Sequence, residues 1–229
     1  LVGCEFSQVV TKAFRARGHE AYSCDLLPTE GNPDWHFQED VFEVIKRYKF
    51  DFGIFHPPCT YLTVTANKWM KPEFNNRFPT RKQDRKDAID FFMGLIEAPI
   101  NSIVVENPVG IMSTLYRKPD QIIQPYYFGD PQQKSTCLWF GGVSRIIPKL
   151  IKTNIVEPKI YYYKDGKKKG RGDPAWHVDS MKLAPIERMK FRSKTFQGVA
   201  NAMAAQWSDI LQVLLYDGEH HYELHQKQT

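Results

Sequence analysis

Two short runs hold residue types suited to chemistry. Pro57-Pro58-Cys59 follows the apolar segment from Phe50 to Phe55 and the single His56. Two prolines stiffen the backbone in an extended form and project the cysteine away from the strand before it. A cysteine thiolate is soft and accessible near neutral pH, which suits attack on carbon 6 of a pyrimidine ring. The second run, Glu106-Asn107-Pro108, closes the apolar segment from Ser102 to Val105. A carboxylic acid beside such a nucleophile hydrogen-bonds or protonates a ring nitrogen and makes the ring electrophilic. Taken singly, each run has a blander reading: Cys59 as a buried structural thiol, Glu106 as a capping or loop acid.

The elements that must position these residues alternate between strand and helix. Val9, Val10, Ala13 and Phe14 have helical spacing and stop at Gly18. Ala21 to Cys24 reads as a strand that delivers Asp25 at its end. Glu39 to Tyr48 is a short amphipathic helix, and Phe50 to Phe55 a second strand. Arg81 to Ala98 is a long helix, and Ser102 to Val105 a third strand. This order predicts an α/β, Rossmann-like fold with a parallel sheet between helices. Ligands of such sheets sit beyond the carboxyl ends of the strands. Asp25, Pro57, Pro58, Cys59, Glu106 and Asn107 all fall there, and the strands ending at Asp25, His56 and Val105 are expected to be parallel neighbours.

Beyond residue 110 the pattern changes. Ile122 to Phe128 and Ser135 to Phe140 read as two strands joined by Gly129-Asp130-Pro131. From Pro148 to Pro185 no period survives, and that stretch reads as loop-rich. Helical spacing returns from Gly198 to Leu215, followed by a polar tail with His220, His221 and His225. The expected division is a core over residues 1–147, a small insertion over 148–185, and a segment over 186–229 that completes the core and ends in the tail.

Bulk properties narrow the classes. The apolar runs are too short for a membrane span. Leu1-Val2-Gly3-Cys4-Glu5 reads as the end of a strand, without the basic start and cleavage site of a signal peptide, so the natural N-terminus is expected to be missing or very short. The four cysteines stand far apart, with no Cys-x-x-Cys pair, which fits reduced thiols in a cytoplasmic setting. No metal site is expected, since the tail histidines lack partners at ligand spacing. The formal net charge of +5 is compatible with nucleic acid without proving it.

Read together, these runs resemble the DNA (cytosine-5) methyltransferases, and in length the short stand-alone proteins of that type carried by phages. The family's Pro-Cys motif is similar to Pro58-Cys59, and its Glu-Asn motif to Glu106-Asn107. Its Pro-Gln-x-Arg-x-Arg motif is similar to Pro131 to Thr136. A late Thr-Pro-Arg-Glu motif is similar to Leu183 to Glu187, and a final Asn-hydrophobic motif to Asn201-Ala202-Met203. The resemblance implies methyl transfer from S-adenosylmethionine to carbon 5 of a cytosine extruded from DNA, in the cytoplasm of a bacterial or phage-infected cell. It implies Cys59 as nucleophile, Glu106 as the group at the ring nitrogen, and Lys134 at the base carbonyl. For the cofactor it implies the loop of Glu5, Phe6 and Ser7, with Asp25 on the ribose, Leu26 and Asp40 at the adenine, and Pro57, Pro58 and Asn201 around them.

The sequence also departs from the family. Its first loop lacks the glycine-rich pattern, Thr60 follows the nucleophile in place of glutamine, and Lys134 and Thr136 stand where arginines are usual. Lysine keeps the charge of arginine and loses its planar fork. Lys164, Lys167, Lys168, Lys169 and Arg171, beside Tyr161 to Tyr163, read as phosphate-gripping residues or as a solvated loop. Two other functions stay open: a DNA-binding module without turnover, and modification of RNA or a free pyrimidine nucleotide.

Overall fold

A computed structural model describes residues 1–165 and 169–208. Its centre is a mixed, mostly parallel seven-stranded sheet. In chain order the strands are β1 (Val2–Gly3), β2 (Ser23–Cys24), β3 (His36–Phe37), β4 (Phe52–Phe55), β5 (Ser102–Pro108), β6 (Gln121–Ile123) and β7 (Thr136–Gly141). In space their order is β3-β2-β1-β4-β5-β7-β6. The first five run parallel, while β7 is antiparallel to both β5 and β6. The chain leaves β1 toward β2 and β3 on one side, then returns to β4 and β5 on the other. This reversal opens a crevice between the carboxyl ends of β1 and β4, the usual ligand position in open α/β sheets.

The helices are α1 (Val9–Arg15), α2 (Val41–Arg47), α3 (Arg81–Ile96), α4 (Met112–Leu115), α5 (Ala175–Ser180) and α6 (Pro185–Ser193), with a further helix, α7, over residues 197–208. Successive strand residues point to opposite faces, and the core divides accordingly. Ile54, Val104, Leu138 and Phe140 pack on one face with Val10 and Phe14 of α1 and Met203 and Trp207 of α7. Phe55, Ile103, Val105, Cys137 and Trp139 pack on the other with Val44 of α2 and Phe92 and Leu95 of α3. Coverage on both faces explains why these strands read as continuous apolar runs rather than alternating ones.

Local chemistry sets the helix ends. The Asp40 carboxylate accepts hydrogen bonds from the Phe42 and Glu43 amides and caps α2. Beyond α1, Gly18 adopts the left-handed conformation, at φ +86°, that glycine tolerates without strain.

Four sequence expectations need correction. β4 and the strand ending at Asp25 are not neighbours, because β1 lies between them. β5 does not stop at Val105: its ladder continues to Pro108, which pairs with Thr136 of β7. β6 ends at Ile123, since Pro125 opens a 3-10 turn. The stretch expected to be loop-rich holds a hairpin of β8 (Ile160–Tyr162) and β9 (Gly172–Pro174), followed by α5.

The end of β5 is tied to the turn that follows β4. Thr63 bridges Gly110, the Ile111 amide donates to the Leu62 carbonyl at 2.8 Å, and the Val64 amide donates to the Val109 carbonyl at 3.3 Å. A Cβ on Gly110 would stand 2.1 Å from the Leu62 carbonyl oxygen. Gly110→Ala is therefore expected to cost roughly 1–3 kcal/mol of stability. Urea titration measures the loss, and proteolysis within residues 59–80 should quicken; unchanged stability would mean that this contact does not anchor the turn.

Candidate functional site

Cys59 lies at the surface of the turn after β4, and Glu106 stands on the adjacent β5. Asn107 links the two segments. Its Nδ2 donates to the Pro57 carbonyl at 2.9 Å in a buried position, which pins the Pro-Pro-Cys turn to β5. Its Oδ1 is buried without a protein partner among the described residues.

His56, which the sequence left unassigned, proves central. Its side chain is only 6% exposed, and its Nδ1 lies 3.1 Å from Oε2 of Glu106. A carboxylate only accepts, so this bond requires the proton on Nδ1. Burial raises the Glu106 carboxyl. The His56 hydrogen bond, the Lys134 ammonium and a hydrogen bond with Thr136 outweigh it and hold the group below the usual carboxylate range. Glu106 therefore rests as an anion.

Lys134 arrives because β7 is antiparallel to β5: the amino end of β7 lies at the carboxyl end of β5. Lys134 and Arg192 both lower the Cys59 thiol, but desolvation in the crevice and the Glu106 charge dominate and raise it above the ordinary thiol value. The other three cysteines are less suited to chemistry. Burial pushes Cys24 up to about 12 and Cys137 up to about 11, and it raises the half-buried Cys4 as well.

The residues expected around a cofactor divide. Asp25 sits half-buried at the end of β2, with Oδ1 accepting from the Leu27 amide at 2.9 Å; burial raises its carboxyl. Leu26 beside it is 72% exposed, an apolar face open to a planar ring. Cys4 feels the charges of both Asp25 and Asp40, which places the two acids near the end of β1. Pro57 is buried and Pro58 exposed. Phe6 and Ser7 are buried.

Glu5 is not turned toward a ligand. Its Oε1 accepts from the Val10 amide at 2.6 Å, and its Oε2 from the Thr11 amide and hydroxyl at 3.2 and 2.7 Å. The carboxylate is thus spent on capping α1. Asn201 is exposed and accepts a hydrogen bond from Gln197 of its own helix. In the insertion, Lys167 and Lys168 lie outside the described residues. Lys164 and Lys169 are exposed near the tip of the β8–β9 hairpin, and Arg171 is ion-paired with Asp173 at 3.6 Å.

Gln8 ends the loop from Cys4 that the resemblance assigns to the cofactor, but its structural role was not legible in the sequence. It is fully buried at a left-handed φ of 58°, an uncommon conformation for a residue other than glycine. Its amide donates to the Ser23 hydroxyl and the Asn32 carbonyl and accepts from the Asn32 amide, which ties the first loop to β2 and the loop beyond it. A polar residue in the glycine-poor first loop was the available signal. Trp176 and Arg192 were missed as well; neither belongs to a motif.

No protein-family model matches the chain, and no curated protein matches it either. No described helix is long and apolar enough to cross a membrane. Among the described residues, no group of three or more His, Cys, Asp or Glu side chains could hold a metal ion.

The electrostatics make Cys59 a sensitive reporter. Glu106→Gln removes the anion that raises the thiol, so iodoacetamide should alkylate Cys59 roughly 3- to 10-fold faster at pH 8. Lys134→Met should slow the reaction by a similar factor. Mass spectrometry of the Cys59 peptide measures both rates, and slower alkylation in Glu106→Gln would contradict this arrangement of charges.

Proposed function

We propose that the crevice carries out methyl transfer to carbon 5 of cytosine in DNA, with Cys59 as the nucleophile. The observation that carries this reading is the meeting of an exposed cysteine, an anionic buried glutamate and a lysine at one sheet edge. A resting thiol beside a carboxylate suits addition to a pyrimidine. The Cys59 proton passes to Glu106 and from there to ring nitrogen N3, while sulfur bonds to carbon 6. No full negative charge then accumulates on the ring. Lys134 supplies positive charge for the base carbonyl. After transfer the carbon 5 proton passes to water, Cys59 leaves as the thiolate and the N3 proton returns through Glu106 to the sulfur, which restores the aromatic ring and the resting thiol.

S-adenosylmethionine, when bound, supplies the electrophilic methyl group. The residues present fit its nucleoside end: the half-buried acid Asp25 suits the ribose hydroxyls, and exposed Leu26 suits the adenine face. Asp40 retains an oxygen free of its capping bonds. At the amino-acid end the chain's own Glu5 already holds the first free amides of α1. A DNA-binding module without turnover is the second reading, favoured by that filled helix end and by the raised thiol.

Trapping on duplex DNA containing 5-fluorocytosine tests the chemistry, because fluorine does not leave as a proton does. A denaturation-resistant adduct is expected with the parent and none with Cys59→Ser, since a serine alkoxide is far harder to form. Methylation by Cys59→Ser at the parent rate would refute the mechanism, and DNA binding without adduct in either protein would favour the second reading.

The cofactor assignment has its own test. Asp25→Ala is expected to weaken S-adenosylmethionine binding by about 1–3 kcal/mol, as the loss of a charged acceptor does. Calorimetry showing unchanged affinity would remove Asp25 from the site.

A further inference from the structure

Helix α6 is amphipathic in the unexpected direction. Arg188, Lys190 and Arg192 are its half-buried members, while Ile186 and Met189 are 69% and 52% exposed and Phe191 is also exposed. A surface helix ordinarily buries its apolar stripe and exposes its charges. The helix lies across the crevice. Lys190 sits over the ring of Phe6 in the first loop, and the following Lys194 pairs with Glu30 at 2.5 Å. On the other side, the Arg192 carbonyl accepts from Lys134 Nζ at 3.3 Å.

Two cations of this arrangement, Lys134 and Arg192, act on the Cys59 thiol and meet an aromatic ring. Lys134 Nζ lies 5.8 Å from the Trp176 ring centre and 5.9 Å from that of Phe196. Arg192 Cζ lies 5.6 Å from the Trp176 ring. That ring is fixed, because Trp176 Nε1 donates to the Gln133 carbonyl at 2.7 Å and its amide to Gln132 Oε1 at 3.2 Å. Among the described residues neither cation forms an ion pair, and the Arg192 guanidinium has no protein acceptor for its five donors. Lys134 already faces the Glu106 carboxylate and the Arg192 carbonyl, whereas the half-buried Arg192 guanidinium rests only against an aromatic face, and its planar fork matches phosphate oxygens two at a time.

We propose that Arg192, set against Trp176, binds the phosphate of the nucleotide whose base reaches Cys59. The inference rests on the reading of the crevice as a pyrimidine site and adds the group that holds the rest of the nucleotide. The phosphate belongs either to a nucleic-acid strand or to a free nucleotide. Both present the same oxygens to Arg192.

Titration of the full chain with cytidine, cytidine 5′-monophosphate, inorganic phosphate and a short DNA duplex tests the site. For the parent, the monophosphate is expected to bind about ten- to a hundredfold more tightly than cytidine. Arg192→Gln should abolish that preference without weakening cytidine, and Arg192→Lys should retain part of it. If the strand is the source, Arg192→Gln should also reduce the salt dependence of duplex binding by about one phosphate contact. If the free nucleotide is the source, only the monophosphate arm should respond. Phosphate binding lost in Arg192→Gln, with no cytidine binding by the parent, would support the anion site while refuting the pyrimidine reading. Equal binding of cytidine and its monophosphate, an undiminished preference in Arg192→Gln, or no binding of any of these ligands would overturn the proposal. Circular dichroism of the variants checks that α6 remains folded.

Discussion

The ladder between β5 and β7 is the constraint on which the site depends. β7 runs antiparallel, so its first residues lie where β5 ends, and Pro108 pairs with Thr136. A parallel β7 would have carried Lys134 to the opposite edge of the sheet. The same ladder keeps Glu106 and Asn107 in extended strand rather than loop. Glu106 is thereby held beside His56, and Asn107 is held in reach of the Pro57 carbonyl. One long-range pairing thus fixes the acid, its cation and the anchor of the cysteine turn.

Charge in the crevice is arranged around a buried anion. A desolvated carboxylate is costly unless hydrogen bonds and cations surround it. Glu106 has His56, Thr136 and Lys134 for this purpose, and its charge in turn raises the Cys59 thiol. The Cys59 thiol and the Glu106 carboxylate are consequently coupled. Whatever neutralises Glu106 also eases formation of the thiolate. The proton transfer we propose, from Cys59 through Glu106 to a ring nitrogen, follows this coupling.

The first loop is organised by its own side chains. Glu5 caps α1, and buried Gln8 binds the neighbouring loop through three hydrogen bonds while holding a left-handed backbone. A glycine-rich loop in this place would leave its backbone amides bare. Here the amides of Val10 and Thr11 are already satisfied by Glu5, whereas Leu26 at the end of β2 stays exposed.

The sequence by itself determined the local elements and the polar residues at their ends. Continuous apolar runs marked β4 and β5 because both faces of the sheet are covered, and amphipathic spacing marked α2 between Glu39 and Tyr48. The same signals placed Asp25, Cys59 and Glu106 at strand ends. They did not show that β5 runs on to Pro108, that β1 separates β2 from β4, or that α6 turns its cations inward. Nor did they reveal that Glu5 is spent on a helix cap, or that Arg192 acts on the Cys59 thiol and rests against Trp176. Those features were decided by the tertiary structure. Hydrophobic period and capping depend on residues within one or two turns of each other, whereas Asn107 meets Pro57 across 50 positions and Lys134 meets Arg192 across 58. Such contacts form only when the folded sheet has fixed strand order and direction.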